Sequence, residues 1–161
     1  MNIGEPKAVA KASVNALNNL LADQFVMLAK VWGFHWNVVD PNFASHHAFL
    51  EKLYREIMDN IDDVAECARC SDGRPFGSLK AYLSHTRIKE IKEDEPVLTA
   101  CAMLKAVLTD YETVIREVRC DLDNLDAKDT PDKATIGFLE DFITRTEKSC
   151  WMIRAHLPLN N

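Results

Sequence analysis

Four long stretches of this 161-residue chain repeat apolar residues at alternating steps of three and four positions. That spacing places apolar side chains along one face of an α-helix, so each stretch is predicted to be a helix packed against others. No stretch alternates apolar and polar residues as a half-buried strand would, and no internal repeat is visible. We therefore predict an all-α fold in a single domain, residues 1–161, with a sizeable core.

Proline and turn-forming residues separate the first two long helices. The first is predicted over about residues 8–37, after a short flexible tail at residues 1–7. Asp40 is a suitable N-cap and Pro41 suits the first helical position, which predicts that the second helix begins there. This second helix is expected to continue to about Cys70.

A long connection joins the second helix to the third. It contains a turn-rich segment, a short helix and a charged loop, predicted at residues 71–77, 78–83 and 89–96. Ser78 is the predicted N-cap of the short helix. The third long helix is expected from about Pro96, and the fourth from Thr130 and Pro131. The predicted architecture is a four-helix bundle with a short helix in the long crossover between helices 2 and 3.

Composition and charge restrict where such a bundle acts. The first residues lack the apolar run of a signal peptide, and no window holds the roughly 18 apolar residues needed to span a bilayer, so we expect a cytoplasmic protein. Five cysteines, an odd number, suit a reducing compartment better than a disulfide framework. Cys67 and Cys70 form a lone CxxC, a weak indication of a zinc or redox site. The net charge of −6 argues against a generally basic nucleic-acid-binding surface but leaves room for a local patch.

Five side chains that can bind metal are concentrated in one short part of the chain: His35, His47, Glu51, Asp62 and Glu66. His47 and Glu51 are four apart, as are Asp62 and Glu66, so each pair shares a helix face. Glu51 and Asp62 are separated by about 16 Å along a helix, too far for both to hold one metal ion. Either the pairs are unrelated, or a twofold axis near residues 56 and 57 sets one pair opposite the other pair of a second chain.

Each of these residues has a simpler interpretation when it is taken alone. A histidine on an apolar stripe is most often a core residue, and carboxylates beside such a stripe most often face solvent. Together, imidazole and carboxylate groups suit Fe(II), Mn(II) or Zn(II), and no thiolate is placed to join them. The set therefore predicts a metal site with open positions, which favours redox chemistry over a closed structural site.

The same segment resembles the Dps family, the mini-ferritins named as DNA-binding proteins from starved cells. The resemblance is carried by FHWNVVDPNFASHHAFLEKLYREIMDNIDDVAE, with RPFGSLKAYL and EKSCWMIRAHL further on, and it covers about residues 15–157. An ordinary ferritin-like bundle uses Glu-x-x-His motifs to build a dimetal site within one chain, and this sequence contains no Glu-x-x-His. The resemblance therefore implies a ferritin-like four-helix bundle whose site lies between subunits.

The catalytic and metal-binding residues follow from this resemblance. It implies that His35, His47 and Glu51 of one subunit face Asp62 and Glu66 of its twofold mate, around two iron positions. The family usually has Asp where this chain has Glu51, and the extra methylene could shift that carboxylate or change occupancy of the second iron position. Trp36, next to the first histidine, is interpreted either as an electron donor that quenches stray oxidising equivalents or as an interface aromatic.

The function implied by the resemblance is iron storage and detoxification. Relatives assemble into a hollow dodecamer built from twofold dimers. They act as ferroxidases that oxidise Fe(II) preferentially with hydrogen peroxide, and they store the ferric mineral, which protects against oxidative stress. Iron enters such shells through acidic pores, and the candidates here are Asp121, Asp126, Asp129 and Asp132.

Two other classes of function stay open. One is a DNA-binding, DNA-protecting shell with little oxidase activity. Lys7 and Lys11 are the only basic residues before residue 12, so we expect DNA binding to be weak or absent. The other is a bundle that uses manganese, or a haem at the dimer axis near Met58, although methionine at such a position is usually a packing residue.

Overall fold

The computed structural model describes residues 6–92 and 98–158 of the chain. These residues form no strand, and their helices are α1 (Lys7–Asn37), α2 (Phe43–Cys70), α3 (Leu79–His85), α4 (Ala100–Asp126) and α5 (Lys133–His156). α1 packs along α2, α4 packs along α5, and α3 lies in the crossover against α1. The prediction of an all-α bundle with a short helix in the crossover is confirmed.

The apolar stripes of the four long helices form the core. Its largest fully buried side chains are Leu17, Leu20, Leu21, Met27, Leu50, Leu53, Ile57, Met103, Leu104, Leu139, Phe142 and Ile153. Burial of one such side chain is worth about 1.5–3 kcal/mol relative to its exposure to water. This packing holds α2 as one uninterrupted helix of 28 residues beside α1, which fixes the spacing of every side chain along it.

The start of α2 differs from the prediction. Asp40 is not the N-cap, because its carboxylate accepts a hydrogen bond from the Asn42 backbone N–H (2.7 Å) and closes a turn before the helix. Asn42 occupies the cap position, and the helix begins at Phe43, after Pro41. The Asp40 carboxylate thus forms a local hydrogen bond in the turn and does not cap the helix.

The other helix ends lie close to their predicted positions. α5 begins after Asp132, whose Oδ1 accepts hydrogen bonds from the Ala134 and Thr135 backbone N–H groups (both 3.1 Å). The predicted cap of the short helix is confirmed, because the Ser78 hydroxyl accepts a hydrogen bond from the backbone of the helix's first turn. The predicted start of the third long helix lies outside the described residues, and α4 begins at Ala100. Most of the predicted N-terminal tail, residues 1 to 5, also lies outside them.

The first half of the crossover is attached to α1. The Asn18 side chain donates a hydrogen bond to the Arg74 carbonyl (3.1 Å) and accepts one from the Phe76 N–H (2.8 Å). Gly73 approaches α1 so closely that a Cβ atom there would overlap the Val14 side chain. These contacts fix where the chain enters α3.

A buried charge network attaches the end of the crossover. Asp23 on α1 is fully buried and accepts hydrogen bonds from the backbone N–H (2.6 Å) and Nε (2.8 Å) of Arg87. Arg87 Nη1 also donates to Asp121 Oδ2 on α4 (2.7 Å). Burial raises the pKa of the Asp23 carboxyl, and the adjacent guanidinium offsets only part of that rise. One pore candidate, Asp121, is therefore engaged in an ion pair inside the network.

None of the described helices is both long enough and apolar enough to span a lipid bilayer.

Candidate metal-binding site

Two histidines meet where α1 ends and α2 begins. The rings of His35 and His47 stack with their centroids 3.8 Å apart and their planes at 24°. Nδ1 of His35 lies 3.1 Å from the backbone carbonyl oxygen of His47, and Nδ1 of His47 lies 3.0 Å from that of His35. Because a carbonyl oxygen can only accept, both Nδ1 atoms carry a proton, and Nε2 of each ring is the nitrogen that can bind a metal ion. Hydrogen bonds to backbone carbonyls of this kind orient histidines that ligate metals.

Aromatic side chains surround the histidine pair. The Tyr54 ring meets the buried His35 edge to face, with centroids 5.2 Å apart. Trp32 lies 6.2 Å from Tyr54 and stacks on Trp36 at 6.1 Å. Trp36 itself is 69 % exposed. These contacts are compatible with both predicted roles of Trp36, as an electron donor and as an interface aromatic.

Glu51 lies one helical turn after His47 and is held by a neighbouring arginine. Its Oε1 accepts hydrogen bonds from Arg55 Nε (3.0 Å) and Nη2 (2.6 Å). The hydrogen bond from Arg55 lowers the pKa of the Glu51 carboxyl, and the charge of Arg55 adds to this effect. Glu51 is therefore ionised at neutral pH.

The remaining predicted ligands, Asp62 and Glu66, lie further along α2 and are exposed. Since α2 is continuous, about 16 Å of helix separates Glu51 from Asp62. Across the described ranges, 6–92 and 98–158, no three His, Cys, Asp or Glu side chains are close enough to hold a metal ion together. One chain thus brings the two histidines together, with Glu51 one helical turn after His47, and leaves Asp62 and Glu66 apart. The assignment of all five as ligands stays a prediction.

Glu51, Met58, Asp62 and Glu66 follow one another at seven- and four-residue steps, so they share one flank of α2. Met58 is 45 % exposed and lies about midway between the two groups of predicted ligands. The other exposed large apolar side chains near the histidine pair are Trp36, Val39 and Phe43.

Sequence reasoning missed two contributors to this site. Arg55 follows Glu51 by four residues, and that spacing is the recognisable signal of an ion pair on a helix. Asp40, predicted to cap α2, instead contacts Nδ1 of His46 at 3.1 Å beside the histidine pair. No spacing rule predicts this contact, because it depends on how the turn between α1 and α2 folds.

Comparison with known proteins identifies the family. A family model described as a ferritin-like domain matches residues 14–159. "DNA protection during starvation protein 2" of Bacillus anthracis is 34% identical over 147 residues, which cover 91% of this chain and 97% of that protein. The chain belongs to the Dps family of ferritin-like proteins.

Solved Dps structures share the fold along nearly the whole chain. The Dps protein of Bacillus brevis superposes with a TM-score of 0.86 at 32% identity, covering 96% of this chain and 100% of that one. The Dps protein of Vibrio cholerae, described as a member of a broad superfamily of ferritin-like diiron-carboxylate proteins, superposes with a TM-score of 0.88 at 28% identity. That superposition covers 98% of this chain and 97% of that one. The resemblance to Dps proteins inferred from the sequence is therefore confirmed.

Proposed function

We propose that this Dps-family protein is a ferroxidase and iron store of the cytoplasm. It oxidises Fe(II), preferably with hydrogen peroxide, at sites shared by two subunits, and it retains the ferric mineral inside a homododecameric shell. The reaction removes both Fe(II) and peroxide, and so protects the cell against oxidative stress. The preference for peroxide, the cellular location and the size of the shell rest on the family resemblance.

The histidine pair is the observation that carries this proposal. Reciprocal hydrogen bonds to backbone carbonyls orient both rings and leave Nε2 of His35 and of His47 available to a metal ion. Two imidazoles suit a divalent transition metal, but two donors leave its coordination incomplete. The missing ligands have to come from elsewhere, and exposed carboxylates on α2 are available.

A twofold axis across α2 would supply those ligands. If two copies of α2 pair antiparallel about a point near residues 56 and 57, the partner subunit's Asp62 and the partner subunit's Glu66 lie opposite Glu51 and His47. Met58, exposed and close to that point, would then pack against the neighbouring subunit at the axis. The apolar surface and the separation of the carboxylates thus support the same arrangement.

The chemistry of such a site follows from its ligands. His35, His47 and the partner subunit's Asp62 would hold the first Fe(II), while Glu51 and the partner subunit's Glu66 would contribute to the second position. Three carboxylates offset most of the charge of two divalent ions and leave positions open for the oxidant. Each Fe(II) gives one electron to hydrogen peroxide, which takes up two protons and leaves as two molecules of water. The Fe(III) then hydrolyses and passes into the store.

Stopped-flow oxidation of anaerobically bound Fe(II) tests this proposal. The Asp62→Ala variant is expected to lower the initial rate with peroxide on the order of 10- to 100-fold, because a ligand of the first iron is lost. Asp63→Ala is the matched control: Asp63 is the next carboxylate along α2, is exposed and forms an ion pair with Arg145 at 3.9 Å, so the rate should be unchanged. Equal rates in wild type and Asp62→Ala at limiting iron would remove Asp62 from the site. Faster oxidation by dioxygen than by peroxide would contradict the proposed oxidant.

DNA binding is the second candidate function, and we expect it to be negligible under physiological conditions. The net charge is −6. Seven basic side chains on the described helices have an acidic partner: Lys30, Lys52, Arg55, Arg119, Lys133, Arg145 and Arg154. Any residual attraction to phosphates is screened at about 150 mM salt. A gel-shift titration of linear duplex DNA at that salt concentration should show no stable complex. A retained shift would favour the DNA-protecting function.

A further inference from the structure

Two cysteines that play no part in the proposed iron site lie together in a surface groove. Cys67 and Cys70 line a groove of about 690 Å³ between the end of α2 and the start of α5, with Thr135 and Phe138 on its opposite side. Both cysteines are free thiols; Cys67 is half-buried and Cys70 is exposed. Solvent therefore reaches the second thiol directly, and the first lies one helical turn behind it.

The spacing of the two cysteines is close to that of a disulfide. Residues three apart on a helix have Cβ atoms about 5–6 Å apart, whereas a disulfide requires about 3.5–4.5 Å. The last turn of α2 would have to tighten by about 1–2 Å for the bond to form.

The end of α2 has the features needed for that movement. Cys70 is the last residue of the helix, and no helical residue after it has to move. The Ser71 N–H meets the Cys67 carbonyl at 3.3 Å, a long hydrogen bond, and Asp72 then turns the chain with a positive φ of 57°. A movement of Cys70 is therefore taken up at Ser71 and Asp72, before Gly73 packs against α1.

We propose that Cys67 and Cys70 form a dithiol that hydrogen peroxide oxidises to an intrahelical disulfide. The exposed Cys70 thiol reacts first: its sulfur displaces water from peroxide, becoming a sulfenic acid while one oxygen of the oxidant leaves as water. The Cys67 thiol then attacks that sulfur, the S–S bond forms, and a second molecule of water leaves. Two thiols thus lose two electrons to one peroxide, and a dithiol reductant restores them by exchange.

The other cysteines of the chain lack this arrangement. Cys101 is half-buried and Cys120 is exposed on α4, but neither has another cysteine within a helical turn along the chain, and Cys150 is buried on α5. A thiol without a resolving neighbour stops at the sulfenic acid or proceeds to higher oxides. Reversible oxidation should therefore be confined to the groove.

The test uses the assembled, reduced and iron-free protein, so that its outcome does not depend on the ferroxidase. One equivalent of hydrogen peroxide per chain is added, remaining thiols are blocked with N-ethylmaleimide, and peptides are mapped by mass spectrometry. About two thiols should be lost per peroxide, both in a Cys67–Cys70 disulfide that dithiothreitol reverses. In Cys67→Ser, the Cys70 sulfenic acid should instead be trapped by dimedone. Cys120→Ser is the matched control and should oxidise like wild type.

Three outcomes would overturn the proposal. The first is that both thiols stay reduced while peroxide remains intact. The second is that Cys70 and Cys120 are oxidised at equal rates to single-cysteine products, which would mean that exposure alone decides. The third is a Cys70 disulfide between subunits, which would assign the thiol to an interface. None of these outcomes would bear on the iron site, which is tested by its own variants.

Discussion

Replacing Arg87 with methionine is expected to lower the free energy of unfolding by about 3–5 kcal/mol at pH 7. The loss arises because Asp23 is fully buried and its carboxylate would be left without the guanidinium that now contacts it through Nε and Nη2. Urea unfolding at matched protein concentration measures the difference. Arg119→Met is the control, because the ion pair of Arg119 with Glu147 is exposed and should be worth about 1 kcal/mol or less.

The pH dependence of this effect identifies its cause. Burial already raises the pKa of Asp23, and removal of Arg87 would raise it further. In the variant, ionisation of Asp23 then costs more in the folded than in the unfolded chain. The loss of unfolding free energy is therefore complete at neutral pH and shrinks as pH falls through the raised pKa of Asp23 in the folded variant. It is gone below the pKa of Asp23 in the unfolded chain, near 4. A difference between wild type and variant that stays constant from pH 7 to about 5 would assign the loss to packing instead.

The fold could be predicted because apolar residues at steps of three and four positions line one face of a helix. Four such helices bury these faces by packing them against one another. Leu17 on α1 and Ile57 on α2, both on these apolar faces, are fully buried. The predicted start of α2 was wrong because an aspartate before a helix can either cap the helix or close a local turn. The sequence spacing around Asp40 does not distinguish these two roles. Propensity rules rank such options only weakly.

The candidate site was predictable in part for the same reason. The separation of Glu51 from Asp62 follows from helix geometry alone, and the structure keeps it because α2 is unbroken. The reciprocal hydrogen bonds of His35 and His47 were not predictable, since they need the chain between α1 and α2 to fold back and align both backbones. The ion pair of Arg55 with Glu51 could have been predicted, because residues four apart on a helix lie side by side.

Single substitutions on either side of the proposed shared site are expected to abolish rapid oxidation. In a symmetric dimer, His47→Ala removes one ligand from both sites, and so does Asp62→Ala. Each variant alone should therefore lose most of its initial rate with peroxide, on the order of 10- to 100-fold. Far-ultraviolet circular dichroism should match wild type, because His47 is only half-buried and Asp62 is exposed.

Mixing the two inactive variants tests most directly whether the site is shared between subunits. The proteins are dissociated, combined in equal amounts and reassembled, with wild type carried through the same steps. Each mixed dimer then contains one site with all five ligands, built from the histidines of the Asp62→Ala chain and the carboxylates of the His47→Ala chain. Random pairing predicts recovery of about one quarter of the wild-type rate. A mixture no faster than its separate components, alongside fully recovered wild type, would contradict the shared site.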